Sequence, residues 1–184
     1  MNAIAIRPLT PETFPDLAAL FEAPGGPRHC WCRVWRAALP GMNAGPARAR
    51  RDMRREALAE EVAAGARVGL IAYAGGRPPG GPCRGPPQSF APPPGPGAPA
   101  GQVWSVVCFY LPPAHRGQGI ARALLAAAAA AGRAAGCTWI ESYAVPPGER
   151  PYAFLGSTAF YAREGFAADA PPGPRPAGMR RALG

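Results

Sequence analysis

The segment from Val103 to Ala135 constrains the fold of this chain more than any other. An apolar run, Val103 to Leu111, predicts a buried strand, and an alanine-rich run that begins at Ala121 predicts a helix. The first amides of a helix lack intrahelical partners and carry partial positive charge, and glycines let an anion approach them closely. We therefore predict a phosphate-binding turn in the intervening residues, Arg116-Gly117-Gln118-Gly119-Ile120-Ala121.

Two common phosphate-binding loops match this turn poorly. The GxxxxGK[ST] loop requires a lysine, and the chain contains none because all 20 of its basic residues are arginine. The dinucleotide fingerprint GxGxxG requires a third glycine, and Arg122 stands at that position. Glu141 lies near the distance at which that fingerprint has its acidic residue, so a dinucleotide-binding turn stays open on these residues alone.

The same turn resembles the acetyl-CoA pyrophosphate loop of the GNAT family of N-acetyltransferases. That signature is [RQ]xxGx[GA] after a strand ending in VxP, and its positions are filled here by Arg116, Gly119, Ala121 and Pro113, with Leu111 in place of the valine. Residues 160–166, FYAREGF, resemble the closing FYxxxGF helix and turn of the family, and residues 6–12 resemble its usual start. The resemblance extends over roughly residues 4–183 and is specific over residues 103–166.

The resemblance implies an α/β (mixed α+β) GNAT fold, formed by one domain over residues 1–184. Its central sheet is mostly antiparallel and mixed, with six to seven strands flanked by about four helices, and it is splayed at the cofactor site. The implied element order is β-α-α-β-β-β-α-β-α-β-β. Within it, Thr10 is predicted to begin the first helix, and a second helical region is predicted from His29 to Arg36.

A proline-rich loop is predicted at about residues 77–101. This stretch contains ten prolines among its 25 residues, and proline cannot donate to a strand ladder. Any third strand of the sheet that forms here is therefore expected to be short or at an edge.

The implied activity is transfer of an acetyl group from acetyl-CoA, the cosubstrate, to a primary amine by direct attack in a ternary complex. The pyrophosphate is expected on Arg116, Gly117, Gln118, Gly119, Ile120 and Ala121, and the pantetheine on the backbone of Phe109, Tyr110 and Leu111. Tyr161 matches the tyrosine that protonates the leaving thiolate in many members, although it could instead pack the last helix on the sheet. Glu141 is a candidate general base, or alternatively the ion-pair partner of an arginine.

The net charge of +9 is concentrated near the turn. Residues 62–140 contain six arginines and no acidic residue, so this part of the chain favours a polyanionic ligand such as coenzyme A. An arginine-rich nucleic-acid-binding protein is one alternative, although no nucleic-acid-binding motif supports it. A non-catalytic acyl-CoA-binding protein of the same family is the other.

Five cysteines at irregular spacing favour a reducing compartment, and no apolar run is long enough to span a bilayer, so we expect a cytoplasmic protein without a membrane partner. His29, Cys30 and Cys32 are too few for a structural zinc site, so no metal is expected. The neighbouring residues Trp31 and Trp35 either line an acceptor pocket or fill the core. The acceptor is expected to be a small-molecule or peptide amine of open identity, and a homodimer is an open alternative because relatives often dimerise.

Overall fold

A computed structural model describes residues 3–31, 44–75, 77–85, 103–146, 153–168 and 176–184. Within these ranges the chain forms seven strands: β1 (Ile4–Pro8), β2 (Leu70–Ala74), β3 (Arg77–Gly85), β4 (Val103–Tyr110), β5 (Trp139–Ala144), β6 (Ala167–Ala168) and β7 (Ala177–Ala182). It also forms four α-helices: α1 (Phe14–Glu22), α2 (Ala47–Ala63), α3 (Ile120–Ala134) and α4 (Thr158–Arg163). The order of these elements along the chain is the predicted one.

The strands form one sheet in the order β1-β2-β3-β4-β5-β7-β6. Every neighbouring pair is antiparallel except β4 and β5, which run parallel. The parallel pair requires a crossover connection, and α3 supplies it. The predicted mixed, mostly antiparallel sheet of six to seven strands with about four helices is thus confirmed.

Helices cover both faces of the sheet. On one face, α3 and α4 enclose a core that includes Leu124, Leu125 and Tyr161, and on the other, α1 and α2 enclose a core that includes Phe21 and Leu58. The alanine-rich α3 packs closely on the sheet. A Cβ at Gly132 of this helix would lie 3.0 Å from the Cβ and Cγ atoms of Trp104, so the missing side chain of glycine allows this close approach without a shift of the tryptophan.

The expectation for the third strand is wrong. β3 has nine residues and lies in the interior of the sheet, between β2 and β4, although Pro78, Pro79 and Pro82 belong to it. Its pairing with β2 is irregular and shifts register between Arg77 and Gly80, where two of these prolines fall. Where the ladder is already interrupted, fewer backbone amides are needed as hydrogen-bond donors. Proline, which has no amide hydrogen, is therefore tolerated in this interior strand. Residues 86–102 lie outside the described residues, as does most of the predicted loop.

The first helix begins later than predicted. Its N-cap is Thr13 rather than Thr10, and Pro15 lies in its first turn. The Thr13 hydroxyl donates a hydrogen bond to the Pro8 carbonyl, which ties the helix start to the end of β1. Of the predicted second helical region, residues 29–31 form a turn and residues 32–36 lie outside the described residues. No helix in the described part of the chain has the length and apolar character needed to cross a membrane.

Candidate functional site

A β-bulge in β4 marks the beginning of the site. In the pairing of β4 with β3, Cys108 lies opposite Cys83 and Val106 lies opposite Arg84, so Val107 is an extra residue. Val107 and Cys108 therefore both pack on the α1–α2 side, whereas Val106 and Phe109 pack on the α3–α4 side. Bulges redirect side chains and interrupt strand pairing, and both effects occur at this point.

β4 and β5 separate beyond the bulge. Their parallel ladder ends with Val106 opposite Ser142, and no described residue continues it along the same edge of β4. The chain after β5 turns away instead: the Val145 amide donates to the Gly156 carbonyl at 3.0 Å, and the Thr158 amide donates to the Val145 carbonyl at 2.9 Å. The sheet is thus splayed between the end of β4 and the residues that lead into α4, as the family resemblance implies.

The turn before α3 presents free backbone donors. Gly117 and Gly119 have φ angles of +72° and +78°, a left-handed conformation that strongly favours glycine. None of the described residues accepts a hydrogen bond from the amides of residues 117–121. A Cβ added at either glycine would meet nothing within 4 Å, so the space in front of these amides is open. This geometry is suited to holding an anion at a helix N-terminus.

Two side chains fix the shape of this turn. The Arg116 Nε donates to the Leu111 carbonyl at 3.1 Å, and the Gln118 amide donates to the Ala114 carbonyl at 2.9 Å. Both bonds fold the turn back onto the residues that follow β4. They leave the rest of the exposed Arg116 guanidinium available to a ligand. His115 lies in the short 3₁₀ turn of Pro113–His115, directly before Arg116.

A cavity of about 280 Å³ joins this turn to the splayed strands. Five of the nine residues predicted to bind the cofactor line it: Phe109, Tyr110, Leu111, Arg116 and Ala121. Its other lining residues are Phe154, Gly156, Ser157 and Phe160, which the sequence interpretation missed. The other four predicted residues, Gly117, Gln118, Gly119 and Ile120, do not line it. The cavity thus has Arg116 and the first turn of α3 at one end, beside the open amides, and mostly apolar walls at the other.

One of the missed residues carried a signal in the sequence. Ser157 stands directly before α4, at the N-cap position where serine is favoured, and its Oγ accepts a hydrogen bond from the Phe160 amide. Phe154 and Gly156 carried no such signal, because their place at the cavity depends on the departure of the chain from β5.

Tyr161 lies behind the cavity wall rather than in it. Its side chain is fully buried, and its phenol oxygen lies 3.0 Å from the Leu155 carbonyl and 2.5 Å from the Ser142 hydroxyl. Burial raises the pKa of this phenol above its ordinary value, so the phenol is protonated at neutral pH. Gly156 separates the ring from the cavity: a Cβ at Gly156 would lie 2.9 Å from the Tyr161 Cε2 and 3.5 Å from its Oη.

Glu141 lies apart from the cavity. Its carboxylate is buried, accepts a hydrogen bond of 2.6 Å from the Ser105 hydroxyl, and is 3.4 Å from the Arg180 Nη2. Of the two alternatives that the sequence left open, this geometry corresponds to the ion pair. Glu141 does not line the cavity, and its role as a general base stays a prediction that this geometry does not favour.

The aromatic residue of the His29–Trp31 turn belongs to the core. Trp31 is fully buried against Phe14 and Phe21 of α1, with ring centroids 6.3 and 5.5 Å apart. Core filling is therefore the role that its geometry supports, while Cys32 and Trp35 lie outside the described residues. The described residues contain no group of three or more His, Cys, Asp or Glu side chains arranged to hold a metal ion.

The sequence and the fold both resemble known acetyltransferases. Residues 42–166 match the family model of the Acetyltransferase (GNAT) family, and these residues are more than half of the chain. No curated protein matches the sequence significantly.

Three solved structures illustrate the likeness of the fold. PaiA N-acetyltransferase from Thermoplasma acidophilum, in complex with coenzyme A, gives a TM-score of 0.56 at 16% identity, covering 98% of this chain and 99% of that chain. YncA from Salmonella typhimurium, with acetyl-CoA, gives a TM-score of 0.58 at 18% identity, covering 100% of this chain and 95% of that chain. Diaminobutyrate acetyltransferase EctA from Paenibacillus lautus, with L-2,4-diaminobutyric acid and coenzyme A, gives a TM-score of 0.56 at 14% identity. The match covers 99% of this chain and 95% of that chain. At such identities the likeness concerns the fold alone.

Proposed function

The chain belongs to the GNAT acetyltransferase family, and we propose that it transfers an acetyl group from acetyl-CoA to a primary amine by direct attack in a ternary complex. The observation that carries the proposal is the cavity between the splayed strands and the open turn before α3. One end suits a diphosphate and the other end suits an uncharged chain. A thioester of coenzyme A combines these two properties, because its diphosphate is followed by the uncharged pantetheine arm.

The donor is proposed to bind along this cavity. The amides of residues 117–121 would hold the pyrophosphate, since they are positively polarised and have no acceptor among the described residues. The exposed Arg116 guanidinium, which uses only its Nε on the Leu111 carbonyl, would assist them. The unpaired edge of β4 at Phe109, Tyr110 and Leu111 would hold the pantetheine arm through its backbone groups. Pro112 and Pro113 follow directly, and because proline lacks an N–H group, they end the strand at this point.

Tyr161 is proposed to protonate the leaving thiolate. When the amine has attacked, the carbon–sulfur bond breaks and its electron pair stays on sulfur, which then requires a proton. The phenol lies behind Gly156, which lines the cavity and has no side chain to block the approach. The alternative, in which Tyr161 only packs α4 on the sheet, predicts no effect of its hydroxyl on turnover.

We assign no general base among the described residues. The amine is proposed to enter in its neutral form and to pass its excess proton to water after attack. The acceptor is proposed to be a small-molecule or peptide amine. An amine is the acceptor class of one fold neighbour, the diaminobutyrate acetyltransferase, but the two chains are only 14% identical, so the individual acceptor is left open.

Binding and turnover test the proposal in two steps. Isothermal calorimetry should detect binding of CoA and acetyl-CoA, and a thiol-release assay with a panel of amines should identify at least one that accelerates release of CoA. Absence of heat with both ligands would overturn the proposal entirely. Binding without release for every amine would instead support a non-catalytic acyl-CoA-binding protein. Salt-sensitive binding of nucleic acid without affinity for CoA would support the arginine-rich alternative.

Replacing Arg116 by alanine should weaken CoA binding about tenfold, the effect expected from the loss of one charge-assisted hydrogen bond to a phosphate. The loss should be larger at low salt, because the exposed guanidinium is screened by ions. Arg133 is a matched control, since it is an exposed arginine near the opposite end of α3. Arg133→Ala should leave the Kd unchanged, and equal weakening by both variants would point to the net charge of the protein rather than to the turn.

A further inference from the structure

Ser142 lies beside the proposed acid and is used by no step described so far. It belongs to β5, and its side chain, like that of Tyr161, is fully buried. The Ser142 Oγ lies 2.5 Å from the Tyr161 Oη and 2.7 Å from the Val106 carbonyl oxygen. Val106 is the last residue of β4 that pairs with β5, so this serine stands where the two strands separate.

The two hydroxyl groups of Ser142 and Tyr161 have too few hydrogens to form all of their close contacts as hydrogen bonds at the same time. Ser142 and Tyr161 each carry one hydroxyl hydrogen, whereas three oxygen–oxygen contacts join them to each other, to Val106 and to Leu155. In one arrangement the serine donates to the Val106 carbonyl and the phenol donates to the serine. In the other the serine donates to the phenol, and the phenol donates to the Leu155 carbonyl, next to Gly156 and the cavity.

We propose that Ser142 is a positioning residue for the acetyl transfer. Its hydroxyl orients the hydrogen of the Tyr161 phenol toward the cavity and then donates a hydrogen bond to the phenolate that remains after the proton has left. The inference rests on the proposed function, in which Tyr161 is the acid. It adds a role for a residue that does not line the cavity and acts only through Tyr161.

The step balances without a further reactant. As the carbon–sulfur bond breaks, the Tyr161 proton moves to sulfur and leaves a phenolate at the Tyr161 Oη. The Ser142 hydroxyl keeps its own proton and donates a hydrogen bond to that phenolate. The proton that the amine sheds after attack reaches the phenolate through water and restores the phenol, so that the net products are an amide and free CoA thiol.

The phenolate needs such a donor because it forms in a buried place. An unpaired charge in an apolar interior is strongly unfavourable, and burial raises the pKa of Tyr161 while the hydrogen bond from Ser142 lowers it. A thiol has an ordinary pKa of about 8.5, so an unassisted buried phenol gives up its proton to a thiolate with difficulty. The nearby Cys108 thiol offers no help, since burial also raises its pKa and keeps it protonated.

Turnover of Ser142→Ala gives the first test, with acetyl-CoA and the most active amine of the panel as substrates. We expect kcat to fall about tenfold, the lower end of the effect of one hydrogen bond to a charged group, with both KM values unchanged. Ser105→Ala is the matched control: Ser105 is also fully buried, and its hydroxyl bonds Glu141 away from the cavity. It should keep its kcat while its melting temperature falls as that of Ser142→Ala does.

Two further variants separate the hydrogen bond from packing. Ser142→Thr keeps the hydroxyl and should retain most of kcat, whereas Ser142→Cys keeps a similar volume with a weaker donor and should lose turnover as alanine does. In a Tyr161→Phe background, Ser142→Ala should change kcat by less than about twofold, because residues that act as one unit are not additive. A tenfold loss in that background would overturn the proposal, as would an unaltered kcat in the single variant.

A titration that requires no acceptor completes the test. A fluorinated tyrosine at position 161 has a more acidic phenol, and its ionisation can be followed by ¹⁹F NMR. Ser142→Ala should raise the pKa of this phenol by about one unit, equivalent to a tenfold effect, relative to Ser105→Ala. An unshifted pKa would overturn the role of Ser142 alone. Full activity of Tyr161→Phe would instead overturn the assignment of the acid, so the two failures are distinguishable.

Discussion

Replacing Gly119 by glutamate is expected to abolish CoA binding while the protein remains folded. The new carboxylate would project into the open space in front of the α3 amides, where nothing lies within 4 Å of an added Cβ. A carboxylate about 4 Å from a phosphate costs roughly 4 kcal/mol at an effective dielectric constant of about 20, which corresponds to about a thousandfold weaker binding. Calorimetry with CoA measures this loss directly.

Gly136 provides the matched control for this substitution. It follows the opposite end of α3, has a φ angle of +76°, and would also meet nothing within 4 Å if a Cβ were added. Glutamate at either glycine therefore carries a similar strain of about 1–2 kcal/mol from the left-handed backbone. Gly136→Glu should match the loss of stability of Gly119→Glu and keep the wild-type Kd. Undiminished CoA affinity in Gly119→Glu would contradict the assignment of the turn.

Replacing Tyr161 by phenylalanine is expected to lower kcat about 100-fold, the lower end of what a general acid contributes. The KM for acetyl-CoA should change little, because phenylalanine keeps the ring, and the hydroxyl that is lost bonds Ser142 and Leu155, neither of which lines the cavity. Since the raised pKa keeps the phenol protonated, the acid form persists up to high pH, and turnover should show no alkaline loss from this group near neutrality. Steady-state kinetics across the pH range check both statements.

The loss of a buried hydroxyl also lowers stability, by about 1 kcal/mol, so a control for that effect is needed. Tyr73→Phe supplies it: Tyr73 is buried on the other face of the sheet, and its phenol donates to the Asp16 carboxylate at 2.6 Å. This variant should lose comparable stability and keep its kcat. Unchanged turnover in Tyr161→Phe would assign Tyr161 to packing alone.

The strand–turn–helix unit around residues 103–135 could be predicted because all of its signals are local. The apolar run is long, the alanine-rich run has no competing interpretation, and the glycines lie where the backbone adopts positive φ. The splay at the end of β4 was inferred from the family resemblance, but the bulge at Val107, directly after the last β4–β5 pair, was not predicted. Val103 to Tyr110 is almost uniformly apolar, so its sequence contains no alternation that an extra residue at Val107 could interrupt.

The length and position of β3 were predicted wrongly because the prediction considered its prolines without the pairing of the neighbouring strand. The rule that prolines leave interior strands assumes an intact ladder, and the β2–β3 ladder is irregular where Pro78 and Pro79 lie. Whether a ladder is intact depends on the register between two strands that are separate in the sequence. That register cannot be predicted from the residues of β3 alone.

The charge around the turn also depends on a residue that is distant in the sequence. Residues 62–140 contain no acid, which predicts an unopposed positive field near Arg122. In the folded chain the Glu164 carboxylate lies 3.2 Å from the Arg122 Nε and partly neutralises it. Arg116 is exposed and has no such acidic partner among the described residues, so the unneutralised charge of the turn is concentrated on this residue.

The sequence by itself determined the glycine-containing turn before α3, the element order and the family, because each depends on residues that are neighbours along the chain. The tertiary structure decided which side chains meet: Glu141 with Arg180, Tyr161 with Ser142, and Gly156 with the phenol ring. These partners are 39, 19 and 5 positions apart, respectively. The register of the sheet and the departure of the chain from β5 bring them together, and both are set by the packing of the whole core.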